Sequence, residues 1–176
     1  YWRSIASVSI ALLAVLIGPY LYFHRTPKLA KEDTLLLADF TNTTGDPVFD
    51  DTLKQAISVQ LVQSPFLNIL SNARTRATLK LMTKPPGTRL TADVASELCQ
   101  RVGGKAYISG SIASLGSQYV IGLDAVNCKT GDSLAQEQVT SENKEHILKA
   151  LDKASTKLRG KLGESLSTVE KFDAPL

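Results

Sequence analysis

Twenty consecutive residues without a charge, Ser4 to Phe23, constrain this chain more than any other feature. As a helix rising 1.5 Å per residue, such a run reaches about 30 Å, the thickness of a bilayer's hydrocarbon core. Tyr1 and Trp2 stand at one end and Tyr20 and Tyr22 at the other, where amphipathic rings favour the membrane interface. Arg3 closes one side; His24, Arg25 and Lys28 close the other. A cleaved signal peptide would carry a shorter apolar stretch and a small-residue cleavage site, and Lys28-Leu29-Ala30 is a poor one. A buried core helix would show a polar face, whereas this run has only scattered serines. The reading is a transmembrane helix with its flanks over residues 1–25, in contact with the lipid bilayer through Ser4–Phe23, and a polar linker over 26–33.

Roughly 140 residues remain, the size of one domain. With 43% hydrophobic and 21% charged residues they suit a packed globule, and with 6% aromatics the core must be largely aliphatic. The net charge of +3 is too small to imply nucleic acid. The chain begins at Tyr1 and not at methionine, so we expect a segment of a longer protein, with 169–176 leading into a further domain.

Thr34 to Phe40 is a nearly continuous apolar run and reads as a buried strand. Asn42 to Pro47 is a loop. Leu53, Ala56, Ile57 and Leu61 recur at helical spacing behind Asp50 and Asp51, and Pro65 ends that helix. Phe66–Leu70 is a short strand, and Ser71 or Asn72 caps a helix running to Met82. Thr91 caps a third helix whose inner face is Val94, Leu98 and Val102; Gly103-Gly104 stops it. A three-strand meander follows, with a turn at Gly116-Ser117 and another at Lys129–Asp132. The last helix, Asn143 to Leu166, carries the stripe Ile147, Leu151, Ala154, Leu158 and Leu162, and Gly160 and Gly163 predict fraying near its end. The order β-α-β-α-α-β-β-β-α implies an α/β (α+β) domain with a mixed sheet over 34–168.

The stretch Leu37-Ala38-Asp39-Phe40-Thr41-Asn42-Thr43-Thr44-Gly45-Asp46-Pro47 resembles the opening strand and loop of the TolB amino-terminal-like domain. Gly104 to Ile112, the hairpin through Val120 and the Asn127–Asp132 turn resemble its later part. More narrowly, the chain is similar to segments found after the membrane helix of bacterial serine/threonine kinase or winged-helix proteins, usually followed by tetratricopeptide repeats. The resemblance implies a non-catalytic interaction or sensing module of a single-pass signalling protein, outside the cytoplasm at the inner membrane, with an unidentified protein partner or small ligand. It supplies no catalytic residues, and the chain contains no kinase signature.

Candidate sites carry competing readings. The loop Asn42, Thr43, Thr44, Gly45 and Asp46 sits where α/β proteins bind phosphates, but it lacks the Gly-Lys-Ser/Thr ending and reads first as a turn. An enzymatic or small-molecule site over Asn42–Asp51 is the alternative function. Asp39, Asp46, Asp50 and Asp51 lack the spacing of a calcium loop, and His24 and His146 cannot build a zinc site with two distant cysteines, so neither metal nor cofactor is expected. Lys149, Lys153, Lys157 and Lys161 form a basic stripe, a lipid or partner face or simply a solvated one. Arg74, Arg76, Lys80, Lys84 and Arg89 lack the interleaved aromatics of a nucleic-acid surface.

Cys99 and Cys128 form the last candidate. If the first two meander strands pair about the Gly116-Ser117 turn, Cys128 falls opposite Lys105, at the end where the third helix arrives with Cys99. That separation permits a disulfide. The competing reading is two buried thiols. The choice is tied to compartment: the resemblance favours an oxidising side, while the positive charges following the membrane helix favour the cytoplasm.

Overall fold

The computed structural model describes residues 29–31 and 33–172. The Ser4–Phe23 segment therefore lies outside the described residues. Among the described residues no helix is long and apolar enough to cross a membrane. Five strands form one mixed sheet: β1 (Thr34–Asn42), β2 (Asn68–Ile69), β3 (Ala106–Leu115), β4 (Gln118–Asn127) and β5 (Ser133–Ser141), in the order β2-β1-β3-β4-β5. β1 runs parallel to β2 and β3; β3, β4 and β5 are antiparallel. The helices are α1 (Phe49–Val62), α2 (Asn72–Leu81), α3 (Ala92–Arg101), α4 (Ile147–Leu162) and α5 (Leu166–Phe172).

Both faces of the sheet are used, unequally. On one face α1 and α4 cover Leu35, Leu37, Ile108, Ile112, Ile121 and Leu123. The whole predicted stripe of α4 is buried there. On the other face α2 and α3 cover Leu36, Ala38, Tyr107 and Val126. This explains the reading of β1: a strand covered on both faces is apolar throughout. β4 and β5 extend past α3, and their second face is open and polar, with Gln136 and Gln138 exposed. There the sequence alternates.

A bulge in β1 fixes the start of the site. Leu37 pairs with Ile108 and Phe40 with Gly110, so Ala38 and Asp39 share the span of one β3 residue. Phe40 is thereby returned to the α1/α4 side, where its ring lies over Gly110; a Cβ at Gly110 would come within 2.3 Å of that ring. Only glycine fits beneath Phe40.

Four local expectations are corrected. The strand expected over Phe66–Leu70 shrinks to Asn68–Ile69, because the Ser64 hydroxyl accepts from the Phe66 and Leu67 amides and curls those residues into a turn. Ser71 caps α2 by accepting from the Arg74 amide, but Thr91, at the corresponding position of α3, makes no side-chain cap. The inner face of α3 is Ala95, Leu98 and Cys99, with Val94 and Val102 at its margin. The last helix does not fray towards Leu166. It opens with a 3₁₀ turn at Lys144–His146 and stops cleanly at Gly163, whose φ of 115° lets the chain reverse into α5.

That reversal carries a buried ion pair. Arg159 Nε donates to Glu164 Oε2 at 2.9 Å and Nη2 to Oε1 at 3.1 Å, with both side chains essentially inaccessible. The Ser64 hydroxyl donates to the same carboxylate at 2.7 Å. Beside it the Leu29 amide donates to the Leu162 carbonyl, so the chain enters the domain next to the end of α4.

Candidate functional site

The loop between β1 and α1 is tied together by its own side chains. Asn42 is the hub: its Nδ2 donates to the Asp46 carbonyl (2.8 Å) and to Asp50 Oδ1 (2.9 Å), and its Oδ1 accepts from the Thr44 amide (3.0 Å) and hydroxyl (2.7 Å). The Thr44 hydroxyl in turn accepts from the Asp46 amide, and Asp46 Oδ1 from the Val48 amide. Thr43 joins the sheet through the Ile112 carbonyl, which its amide reaches at 2.9 Å. Gly45 occupies the left-handed region at φ 81°, the conformation glycine adopts without strain. Each residue of Asn42–Asp46 thus has a structural task.

The acidic residues around this loop are paired as well. Asp46 receives Lys144 Nζ at 2.5 Å, an ion pair between the loop and the 3₁₀ turn before α4. That hydrogen bond, aided by the Val48 amide, holds the Asp46 carboxyl below its ordinary pKa, and the same bond raises the Lys144 ammonium above its own. Lys144 also lies over the Phe49 ring, 5.4 Å from its centroid, and Phe49 meets Tyr119 edge-on at 5.6 Å. Asp39 takes Lys54 from α1 and the Leu90 amide. Among the described residues no cluster of histidine, cysteine, aspartate or glutamate has the geometry to hold a metal ion.

A shallow groove of about 440 Å³ opens beside the loop, on the uncovered sheet face. Its floor is Ser109, Ser111, Gly122 and Asp124; the start of α3 and Arg89 form a wall. Arg89 is engaged with the Phe40 carbonyl (3.0 Å), and Asp124 with the Ser133 hydroxyl (2.5 Å). Ligand sites are mostly enclosed and apolar, whereas this half-open groove is lined in near-equal part by polar and apolar surface. A second groove of about 430 Å³ lies between α1 and α2, over Leu36, Leu37, Leu70 and Leu90.

The other candidate residues fall elsewhere. Cys99 and Cys128 are joined in a disulfide with Cα atoms 6.0 Å apart, buried between the end of α3 and the β4–β5 turn. The Cys128 amide donates to the Lys105 carbonyl, and Gln100 Nε2 to the Cys128 carbonyl. Gly104 runs so close that a Cβ there would stand 2.6 Å from the Cys99 sulfur. Lys149, Lys153 and Lys157 are exposed on α4, while Lys161 turns to β5 and binds Glu137 Oε1 and the Gln136 carbonyl, both at 2.7 Å. Arg74, Arg76 and Lys80 are exposed on α2, and the loop beyond it carries Lys84 and Arg89. The sequence reading missed Arg159, which falls between Lys157 and Lys161 in the chain but on the opposite face of the helix, and is fully buried. The signal was its place one residue after Leu158 on the apolar side of the helix.

No protein-family model matches the chain, and no curated protein matches it by sequence. Its fold is found among solved structures. The LpoB C-terminal domain from Salmonella enterica superposes with a TM-score of 0.58 at 13% identity, over 65% of this chain and 86% of that one. Lipoprotein GNA1162 from Neisseria meningitidis gives 0.50 at 17%, over 76% of this chain and 98% of that one. TolB from Acinetobacter baumannii gives 0.50 at 14%, over 80% of this chain and 30% of that one. The TolB-like expectation is thus met in part, as a likeness of fold, and the LpoB domain and lipoprotein GNA1162 share it.

Proposed function

We propose that this domain is a non-catalytic binding module that engages a protein partner outside the cytoplasm, at the inner membrane of a bacterial cell. The observation that carries the reading is how the candidate loop is used. Asn42, Thr44, Asp46 and Asp50 are bound to one another or to Lys144, and Asp39 to Lys54 and Leu90. An acid–base catalyst needs a titratable group presented to substrate in a cleft, and these groups hold the fold. The location is supported by the Cys99–Cys128 bridge, since disulfides persist in oxidising compartments, and by the fold shared with a named lipoprotein. The narrower reading is a segment of a single-pass signalling protein, anchored through Ser4–Phe23, with any kinase domain or tetratricopeptide repeats outside this chain.

The test is residues 1–176 fused after Leu176 to alkaline phosphatase, which is active only outside the cytoplasm, combined with cross-linking in the same cells. The reading expects phosphatase activity, retention in the membrane pellet through alkaline washing, and a cross-linked protein. An inactive reporter or release by washing contradicts the location. Absence of any cross-linked protein contradicts the binding role. The small-ligand alternative rests on the groove over Ser109, Ser111 and Gly122. It predicts that Gly122→Leu, which fills that groove, abolishes function with the cross-link intact.

A further inference from the structure

We propose that the solvent face of α2 is the docking surface, and that its partner is an acidic helix carrying leucine-like anchors. The inference rests on the reading of the domain as a protein-binding module. No acidic residue occurs between Asp51 and Asp93, whereas Lys54, Arg74, Arg76, Lys80, Lys84 and Arg89 all fall there. Lys54 is taken by Asp39, and Arg89 by the Phe40 carbonyl. Arg74, Arg76, Lys80 and Lys84 have no ion-pair partner among the described residues. This is a patch of cations with no carboxylate in its own stretch of chain, whereas Lys144 is paired with Asp46, Arg159 with Glu164, Lys161 with Glu137 and Arg101 with Glu97.

The patch also has shape. α2 buries Thr75, Thr78 and Leu79 against the sheet side. Ala73, Ala77 and Leu81 recur at four-residue spacing and so make one row on the opposite side. All three are exposed, Leu81 by 80%, the largest exposure of any big hydrophobic residue among those described. Helical geometry puts Arg76 and Lys80 along one flank of that row and Arg74 along the other. Two alanines and a leucine between cations form a shallow apolar seam with a positive rim. Small residues let a second helix approach closely, and rim charges steer encounter and set orientation.

The same features disfavour other occupants. An interfacial membrane helix sinks Trp, Phe or several Leu into lipid, and this face offers only Leu81 beside two alanines. Single-stranded nucleic acid needs stacking rings, and α2 has none.

The test uses the full chain in non-ionic detergent and a synthetic helical peptide with leucines at four-residue spacing flanked by glutamates. The comparison probes are its Glu→Gln counterpart, phosphatidylglycerol vesicles and an oligodeoxythymidine strand. The proposal expects the acidic peptide to bind about tenfold more tightly than the glutamine version, with affinity falling as salt rises. Arg76→Glu with Lys80→Glu should remove binding, and Leu81→Ser, which changes no charge, should weaken it. All three positions are exposed, so the urea midpoint should stay at the wild-type value. Binding indifferent to Leu81, or stronger binding to vesicles or oligonucleotide, overturns the proposal. So does a cellular cross-link that survives the double charge reversal; that result leaves the binding-module reading standing and moves the interface to another face.

Discussion

Asp39 and Leu90 hold each other twice: the Asp39 amide donates to the Leu90 carbonyl at 3.0 Å, and the Asp39 carboxylate accepts from the Leu90 amide at 2.6 Å. β2 pairs only with Thr34 and Leu35 of β1, so Leu90 continues the edge where β2 stops. The bulge at Ala38-Asp39 turns this carboxylate towards that edge, within reach of Lys54 on α1. One side chain thus ties β1, α1 and the segment leading into α3.

Asp39→Ala should therefore destabilise the domain by about 1.5–3 kcal/mol, the scale of a hydrogen bond to a charged group. Asp39→Asn, which keeps an acceptor for the Leu90 amide, should lose less. Urea unfolding checks both. Equal losses would mean that the Lys54 pair, rather than the Leu90 clasp, carries the effect.

The buried pair Arg159–Glu164 makes a different prediction. Removing one partner leaves an uncompensated charge in the interior, so Glu164→Gln or Arg159→Met alone should cost about 3–5 kcal/mol. Arg159→Met with Glu164→Leu should recover most of that, because an apolar pair avoids the desolvation of both ions. The Ser64 hydroxyl then loses its acceptor and limits the recovery. A double-mutant cycle in urea measures the coupling; additive losses would contradict a tightly coupled pair.

Much of the fold was legible because it depends on local signals. The Gly116-Ser117 turn sets the β3–β4 register, Ala106 opposite Asn127 through Leu115 opposite Gln118. That register alone brings Cys128 to Lys105. The bulge at Asp39 was not legible, because the contact it permits, the Phe40 ring over Gly110, joins distant segments. Arg159 was hidden for a similar reason. Its partner lies five residues on, across the reversal at Gly163, where a helical charge pattern does not look. At the candidate loop the sequence supplied the residues but not their bonds: the Lys144 partner of Asp46 is remote in the chain and meets it only through packing of α4 against α1.

The Asp46–Lys144 pair should leave a pH signature. Asp46 has its folded pKa depressed, so its contribution is present above the unfolded value of about 4 and is lost as pH falls through the lower folded value. Lys144 has its folded pKa raised, so its contribution is present below the unfolded value of about 10.4 and is lost as pH rises through the higher folded value. Between these limits the pair contributes a constant amount, a small one because both groups are exposed. The Tm difference between wild type and Asp46→Asn should be flat from about pH 5 to 9 and vanish in acid. A difference that grows towards acid would contradict the assignment.

The central claim is a disulfide-stapled binding module working outside the cytoplasm, and the state of Cys99 and Cys128 tests it most directly. Their separation of 29 residues closes a loop that contributes about 3–4 kcal/mol in the chain-entropy description. The measurement is mass spectrometry of the chain taken from the membranes of its native cells, alkylated before any reductant is added. The account predicts a single linked peptide pair containing Cys99 and Cys128, with no alkylated thiol until reductant is supplied. Two alkylated cysteines in that sample would contradict it, removing the bridge and with it the main physical support for an extracytoplasmic domain.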